Sequence, residues 1–155
     1  MSLISFNDIN QLLTTYRREN YKLVFTNGCF DLLHKGHLDL LLNAAAFGDK
    51  LLVGLNSDTS VKKLKGNSRP IQNEKTRAIK LLELKYVDHV IIFEDLTPQN
   101  LIHTISPDVL VKGGDYTKNE IVGAKHVISR GGVVKIIPLT PGFSTTSIIE
   151  KSSNK

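Results

Sequence analysis

The chain has one cysteine, no tryptophan and no apolar run of membrane-spanning length. Each shortage removes a class of protein. A lone Cys29 cannot close an internal disulfide, which suits a reducing, cytoplasmic compartment. A helix start beside it could activate the thiol, but a small buried filler is the plainer reading. Hydrophobic residues make up 41% of the chain, yet none of its apolar runs nears the roughly 20 residues that cross a bilayer. A soluble chain without membrane insertion is expected. Met1 to Asn10 carries no basic n-region, and no secretory signal is expected. Internal repeats and low-complexity linkers are missing too. At 155 residues the chain reads as a single domain, 1–155, with 1–20 a helical extension packed on the outside and 152–155 a loose tail.

Charge is present and unevenly placed. Of a net +5, the stretch Lys62 to Lys85 supplies eight basic residues (Lys62, Lys63, Lys65, Arg69, Lys75, Arg77, Lys80, Lys85) against Glu74 and Glu83. A basic cluster attracts phosphate, whether on a nucleotide, a sugar or RNA. RNA binding calls for aromatics among the charges, and only Tyr86 lies close. Small phosphorylated ligands are favoured over nucleic acid.

The chain is organised around Lys22 to His37. Leu23 to Phe25 reads as a short buried strand, ended by a turn at Asn27-Gly28 that tolerates positive φ. From His37 the period becomes helical, with Leu38, Leu41, Leu42, Ala45 and Ala46 on one face. A strand, a tight turn and a helix opening with two histidines form a phosphate grip. Helix N-termini offer unpaired N–H groups and the positive end of the macrodipole. Gly36 clears a side chain from the approach, and His34 and His37 can donate hydrogen bonds.

Further along, Ser5 to Asp8 could cap a helix bearing Ile9, Leu12, Leu13 and Tyr16. Lys50 to Leu55 is a second strand. Thr59 to Gln72, polar and basic, reads as a long functional loop. Asn73 caps a helix whose apolar face is Ile79, Leu81 and Leu82, extending to Leu84. His89 to Phe93 is the third strand, and Thr97-Pro98 opens a helix through Leu101, Ile102 and Ile105. Val109 to Val111 is the fourth strand, running into Lys112-Gly113-Gly114-Asp115. A helix from Gly123 to Arg130 and a fifth strand, Val133 to Ile137, follow. The expected fold is α/β: a Rossmann-like, doubly wound, five-stranded parallel sheet with helices on both faces. Ligands in such sheets bind beyond the carboxyl ends of the strands. The Gly28 turn, the Asp58 loop, the Lys112 turn and the Ser144 loop all follow strands and converge there. His89, His103 and His126 stand in ordinary structural contexts.

His34-Lys35-Gly36-His37 is the HxGH signature of a nucleotidyltransferase superfamily. Together with Thr26 to Asp31 before it and Phe143-Ser144-Thr145-Thr146-Ser147-Ile148-Ile149 at the far end, it resembles the cytidylyltransferase-like branch. Within that branch, Lys65 to Pro70 and Val111 to Tyr116 are similar to the D-glycero-D-manno-heptose 1-phosphate adenylyltransferases, often the C-terminal half of a bifunctional kinase/adenylyltransferase. The likeness runs from about Tyr21 to Lys151, and a stand-alone domain without a kinase half is the expectation.

The resemblance implies transfer of AMP from ATP to a sugar 1-phosphate, with His34, His37, Lys63 or Lys65, and Thr145 stabilising charge. Backbone groups at Phe25, Thr26, Asn27, Gly28, Cys29 and Phe30, with Gly36, Arg77, Ser144 and Thr146, would hold the nucleotide. Asp31, Lys112, Gly113 and Asp115 would face the acceptor. Mg²⁺ would arrive mainly through the nucleotide phosphates, with no dedicated protein metal site. A homodimer or higher homo-oligomer is expected. A glycerol-3-phosphate-type cytidylyltransferase is the alternative. That family's C-terminal motif usually carries an arginine where this chain has Leu139, five residues before Ser144. A nucleotide-sensing or RNA-binding module that lost catalysis is disfavoured by the intact histidine pair, and a class I synthetase fragment by the missing KMSKS-type run.

Overall fold

A computed structural model of the chain describes residues 2–114 and 116–138. Its strands are β1 (Ser2–Leu3), β2 (Leu23–Gly28), β3 (Lys50–Asn56), β4 (His89–Phe93), β5 (Val109–Gly113) and β6 (Val133–Ile137). The helices are α1 (Ile9–Arg18), α2 (Lys35–Ala45), α3 (Asp58–Lys65), α4 (Glu74–Leu82), α5 (Gln99–Ile105) and α6 (Ala124–Ser129). All pairings are parallel, in the order β1-β4-β3-β2-β5-β6.

Strand alternation divides the core. Leu23, Phe25, Leu52, Ile91, Leu110 and Val134 face α1, α5 and α6. Val24, Leu51, Val53, Val90, Val109 and Val111 face α2 and α4. The β2-α2-β3 and β3-α4-β4 crossovers thus lie on one face, and after β4 the chain returns to the far side of β2 and crosses on the other. Right-handed crossovers demand that change of face when the direction of winding reverses. The reversal puts the switch point between the carboxyl ends of β2 and β5, where ligands bind in doubly wound sheets.

Four sequence expectations are corrected. The sheet has six strands, because Ser2 and Leu3 pair with His89 and Val90 of β4. Two residues are too few to show a period. The N-terminal helix is no outer extension: Ile9, Leu13 and Tyr16 are buried in the core, and Tyr16 and Ser2 both hydrogen-bond the His89 ring. Much of the expected loop from Thr59 to Gln72 is α3, capped by Ser57, whose hydroxyl accepts from the Ser60 amide at 3.1 Å. Only Val61 and Ser60 are buried on that helix, so its composition is that of a solvated face. Finally, β2 continues through Asn27 and Gly28, paired with Gly54 and Leu55, and the positive φ values fall later, at Phe30 and Leu32.

Two helices are also rotated from their expected faces. In α2 the buried residues are Leu41 and Ala44, while Leu42 is 56% exposed. In α4 they are Arg77, Ala78 and Leu81, while Ile79 is 58% exposed. A polar residue, His37 or Arg77, holds an inward position in each case, so the apolar period alone points the wrong way.

Gly54, at the centre of β3, leaves room for the Phe25 ring: a Cβ there would lie 2.7 Å from Phe25 Cζ and 3.2 Å from Leu101 Cδ2. Gly54→Ala should therefore cost about 1–3 kcal/mol through overpacking, read from urea denaturation. Phe25→Leu in the same chain should recover part of that loss.

Candidate active site

Past Gly28 the chain must turn sharply to begin α2, and it does so through Phe30 and Leu32 at φ +47° and +54°. Left-handed backbone costs a non-glycine residue roughly 1–2 kcal/mol, so neighbouring contacts must hold it. Asp31 supplies them. It is 1% exposed and accepts from the amides of Ile71 (2.7 Å) and Gln72 (2.9 Å) and from Arg69 Nε (3.3 Å). Leu32 N–H donates to Gln72 Oε1 at 3.3 Å. The turn is thereby fastened to the segment joining α3 to α4. Gly28 has a separate duty: a Cβ there would come within 3.0 Å of the Phe30 ring.

The two histidines cap α2 reciprocally. His34 is the N-cap, and its Nδ1 accepts from the amides of Gly36 (3.0 Å) and His37 (3.4 Å). His37 Nδ1 accepts in turn from the His34 amide at 3.4 Å. This is a capping box built from imidazoles in place of Ser and Glu. Because both Nδ1 atoms accept, each neutral ring carries its proton on Nε2. The rings stack with centroids 3.8 Å apart, and Phe30 meets His37 edge-on at 5.3 Å. Burial lowers the pKa of His34. Burial, then the neighbouring His34 and Lys65 charges, lower that of His37 to about 3. Both rings are neutral at pH 7, presenting N–H donors at a helix N-terminus.

Arg77 is 0% exposed. Its guanidinium donates to the carbonyls of Gln72 (2.9 Å), Cys29 (2.8 Å) and Asn56 (2.7 Å), and it pairs with Asp58 Oδ1 at 2.8 Å. One side chain ties the chain just past β2, the last residue of β3 and the start of α3 to α4. Glu74 adds to the seam, accepting from the Asp58 amide at 3.0 Å.

A cavity of about 140 Å³ opens at the switch point, lined by Asn27, Gly28, Cys29, Phe30, His37, Leu40, Lys65, Lys112 and Gly113. Lys65 reaches it from the C-terminal turn of α3, whereas Lys63, exposed on the same helix, does not line it. Lys112 is half-buried, and burial lowers its pKa. The Cys29 thiol is pushed up by burial, so it is no activated nucleophile.

The structure thus brings together Asn27 to Phe30, His37, Lys65, Lys112 and Gly113 around the cavity, with His34 stacked on His37 and accepting from the Gly36 amide. It places others behind that wall. The Phe25 side chain is in the core and Thr26 Oγ1 donates to Val111 O at 2.9 Å, so these two reach a ligand only through backbone. Asp31 and Arg77 are turned into the protein, where they shape the wall. Asp115, Ser144, Thr145 and Thr146 lie outside the described residues. Sequence reasoning missed Asp58 and Asn56 as partners of Arg77; their place at the end of a strand before a basic helix was the available signal. It also missed Arg69, whose Nη2 is buried with no hydrogen-bond partner among the described residues.

A parallel sheet with this switch point and a histidine-capped helix beneath it define a nucleotidyltransferase fold. Residues 25–151 match the family model described as cytidylyltransferase-like, and the chain belongs to that family. It is 52% identical over 149 residues to the bifunctional protein HldE of Koribacter versatilis, covering 96% of this chain and 31% of that protein. To the bifunctional protein HldE of Nitrobacter winogradskyi it is 53% identical over 148 residues, covering 96% and 30%. The chain spans about a third of the length of these curated relatives. Among solved structures it is similar to the lipopolysaccharide core biosynthesis protein from Thermoplasma volcanium, with TM-score 0.63 and 28% identity over 77% of this chain and 97% of that one.

Two outcomes follow from this geometry. Arg77→Leu should destabilise by about 3–5 kcal/mol, since it leaves Asp58 and three carbonyls without their donor, read as a fall in the urea midpoint. Stability should also depend on His37. Its folded pKa lies below the unfolded value, so the unfolded chain binds more protons and stability falls as pH drops from 6.5 towards about 3. His37→Gln should reduce the slope of unfolding free energy against pH by close to one proton between about pH 4 and 6.

Proposed function

We propose that the chain transfers an adenylyl group from ATP to a D-glycero-D-manno-heptose 1-phosphate. The products would be ADP-heptose and pyrophosphate, for lipopolysaccharide core or other heptose-containing surface glycans. The observation that carries this reading is the pair of Nε2–H imidazoles at the N-terminus of α2, beside a cavity walled by Lys65 and Lys112. The identity of about half to bifunctional HldE proteins and the similarity to a lipopolysaccharide core biosynthesis protein support the choice of product. So do the Lys65 to Pro70 and Val111 to Tyr116 segments.

An oxygen of the acceptor phosphate attacks the α-phosphorus in line. A new P–O bond forms, the α–β bridge breaks, and pyrophosphate leaves with the electron pair. Such transfer depends on positioning and charge neutralisation. His34 and His37 donate to the phosphate oxygens that gain charge, the α2 N-terminus adds its dipole, and Lys65 faces the departing phosphates. Lys112 and Gly113 lie on the acceptor side. The described residues contain no cluster of three or more His, Cys, Asp or Glu able to hold a metal, and Asp31 is engaged with Ile71, Gln72 and Arg69. A Mg²⁺ carried by the nucleotide phosphates would neutralise phosphate charge there.

His37→Ala, checked for folding, should lower turnover roughly a hundredfold while weakening ATP binding far less. Lys65→Ala should impair kcat/KM for ATP, and Lys63→Ala should leave it near the parent value. With ATP, CTP, heptose 1-phosphate and glycerol 3-phosphate compared side by side, pyrophosphate release should favour ATP and the heptose by at least about tenfold in kcat/KM. Equal or better rates with CTP and glycerol 3-phosphate would return the chain to the cytidylyltransferase alternative.

A further inference from the structure

Arg69 is buried, at 9% exposure, and its guanidinium is only partly matched. Nε donates to Asp31 Oδ2 at 3.3 Å, while Nη2 is covered and has no hydrogen-bond partner among the described residues. Arg77, equally enclosed, meets three carbonyls and Asp58. Buried polar groups are nearly always hydrogen-bonded, and an exception calls for an explanation. A guanidinium carries a permanent charge, so the unmatched donor here is a cationic one.

Its place in the chain ties it to the cavity. Arg69 closes the turn that follows Lys65, its N–H donating to Gly66 O at 3.2 Å. Lys65 and Cys29 both line the cavity of about 140 Å³. Burial raises the Cys29 thiol pKa, and the charges of Lys65, Arg77 and Arg69 act against that rise. The guanidinium therefore lies beside the Lys65 and Cys29 wall without lining it. Asp31, its ion-pair partner, is also engaged by the amides of Ile71 and Gln72. The turn itself has room to move. Gly66 is at φ +100° with nothing within 4 Å of where a Cβ would stand, and Asn67 and Ser68 are exposed.

We propose that Arg69 is a further cationic ligand of the triphosphate beside Lys65: as the 66–70 turn shifts, Nη2 donates to an oxygen of the β- or γ-phosphate. The inference rests on the adenylyl-transfer reading above. The histidine pair belongs to the reacting phosphorus and Lys65 to the departing end, and Arg69 stands on the Lys65 side. The planar fork of an arginine suits phosphate oxygens, and the Asp31 contact at Nε fixes its orientation. The departing pyrophosphate gains charge as the bridge breaks, and a guanidinium held there stabilises it. A buried donor that is matched only in the complex favours a polyphosphate over a monophosphate.

Binding tests this without turnover. Pyrophosphate, AMP and a non-hydrolysable ATP analogue are titrated by calorimetry into the parent and into Arg69→Lys, which keeps a cation for Asp31 and lacks the second nitrogen. We expect Arg69→Lys to weaken pyrophosphate and the ATP analogue at least about tenfold, with AMP within about twofold. The parent gives an independent reading by NMR. Its Arg69 Nε–H resonance, assigned through bonds, should shift on adding pyrophosphate and stay in place with AMP. No pyrophosphate binding by the parent, unchanged affinity in the variant, an equal loss for AMP, or an Arg69 resonance indifferent to pyrophosphate would each overturn the assignment. If Arg69→Lys does not fold, the parent resonance decides. Failure of the adenylyl-transfer reading would show separately, as pyrophosphate and ATP-analogue binding at Arg69 with no pyrophosphate release from ATP and heptose 1-phosphate.

Discussion

The site depends on one buried guanidinium. Arg77 donates to carbonyls of the chain just past β2, the end of β3 and the start of its own helix, and it pairs with Asp58 at the head of α3. A cation with no exposed surface is tolerable only when its donors are matched, because removing any partner leaves the charge uncompensated. The clamp therefore holds the cavity wall in one arrangement. Asp31 extends it by binding the segment between α3 and α4 to the turn that carries the histidines. A preorganised wall matters for phosphate chemistry, where donors already aimed at the reacting oxygens need no reorganisation.

That wall delivers donors of a particular kind. Reciprocal capping leaves both histidines neutral, with their protons on Nε2, so they act as hydrogen-bond donors without bringing fixed charge into a buried place. Fixed positive charge comes from the edges: Lys65 on a helix C-terminus, where the dipole favours a cation, and Lys112 at the end of β5. On the proposed reading the division would suit a triphosphate, with charge at its periphery and directed hydrogen bonds at the reacting phosphorus.

Much of this was legible in the residues. Apolar runs showed β2 to β6, and Asn27-Gly28, Lys112-Gly113 and the histidine pair lie at or just past strand ends that the sheet brings to the switch point. Illegible features share physical causes. β1 is two residues long and pairs through its backbone, so it leaves no period. Composition hid α3, a helix with one buried apolar side chain, Val61. In α2 and α4 the inward position is taken by His37 or Arg77, and a pattern that counts such residues as polar rotates the helix. The period fails where a polar side chain takes the inward position. Asp31 and Arg77 entered the reading through the resemblance, as ligand-facing residues, whereas burial shows their side chains engaged inside the protein.

The central claim is that adenylyl, and not phosphoryl, is transferred to a heptose 1-phosphate. Its most direct test follows the phosphorus atoms by ³¹P NMR in one reaction of ATP, Mg²⁺, heptose 1-phosphate and the purified chain. The account predicts matched growth of a sugar-linked diphosphate doublet pair and of pyrophosphate, with loss of the acceptor monophosphate signal. Formation of ADP or inorganic phosphate, with the sugar monophosphate unchanged or doubly phosphorylated, would contradict it.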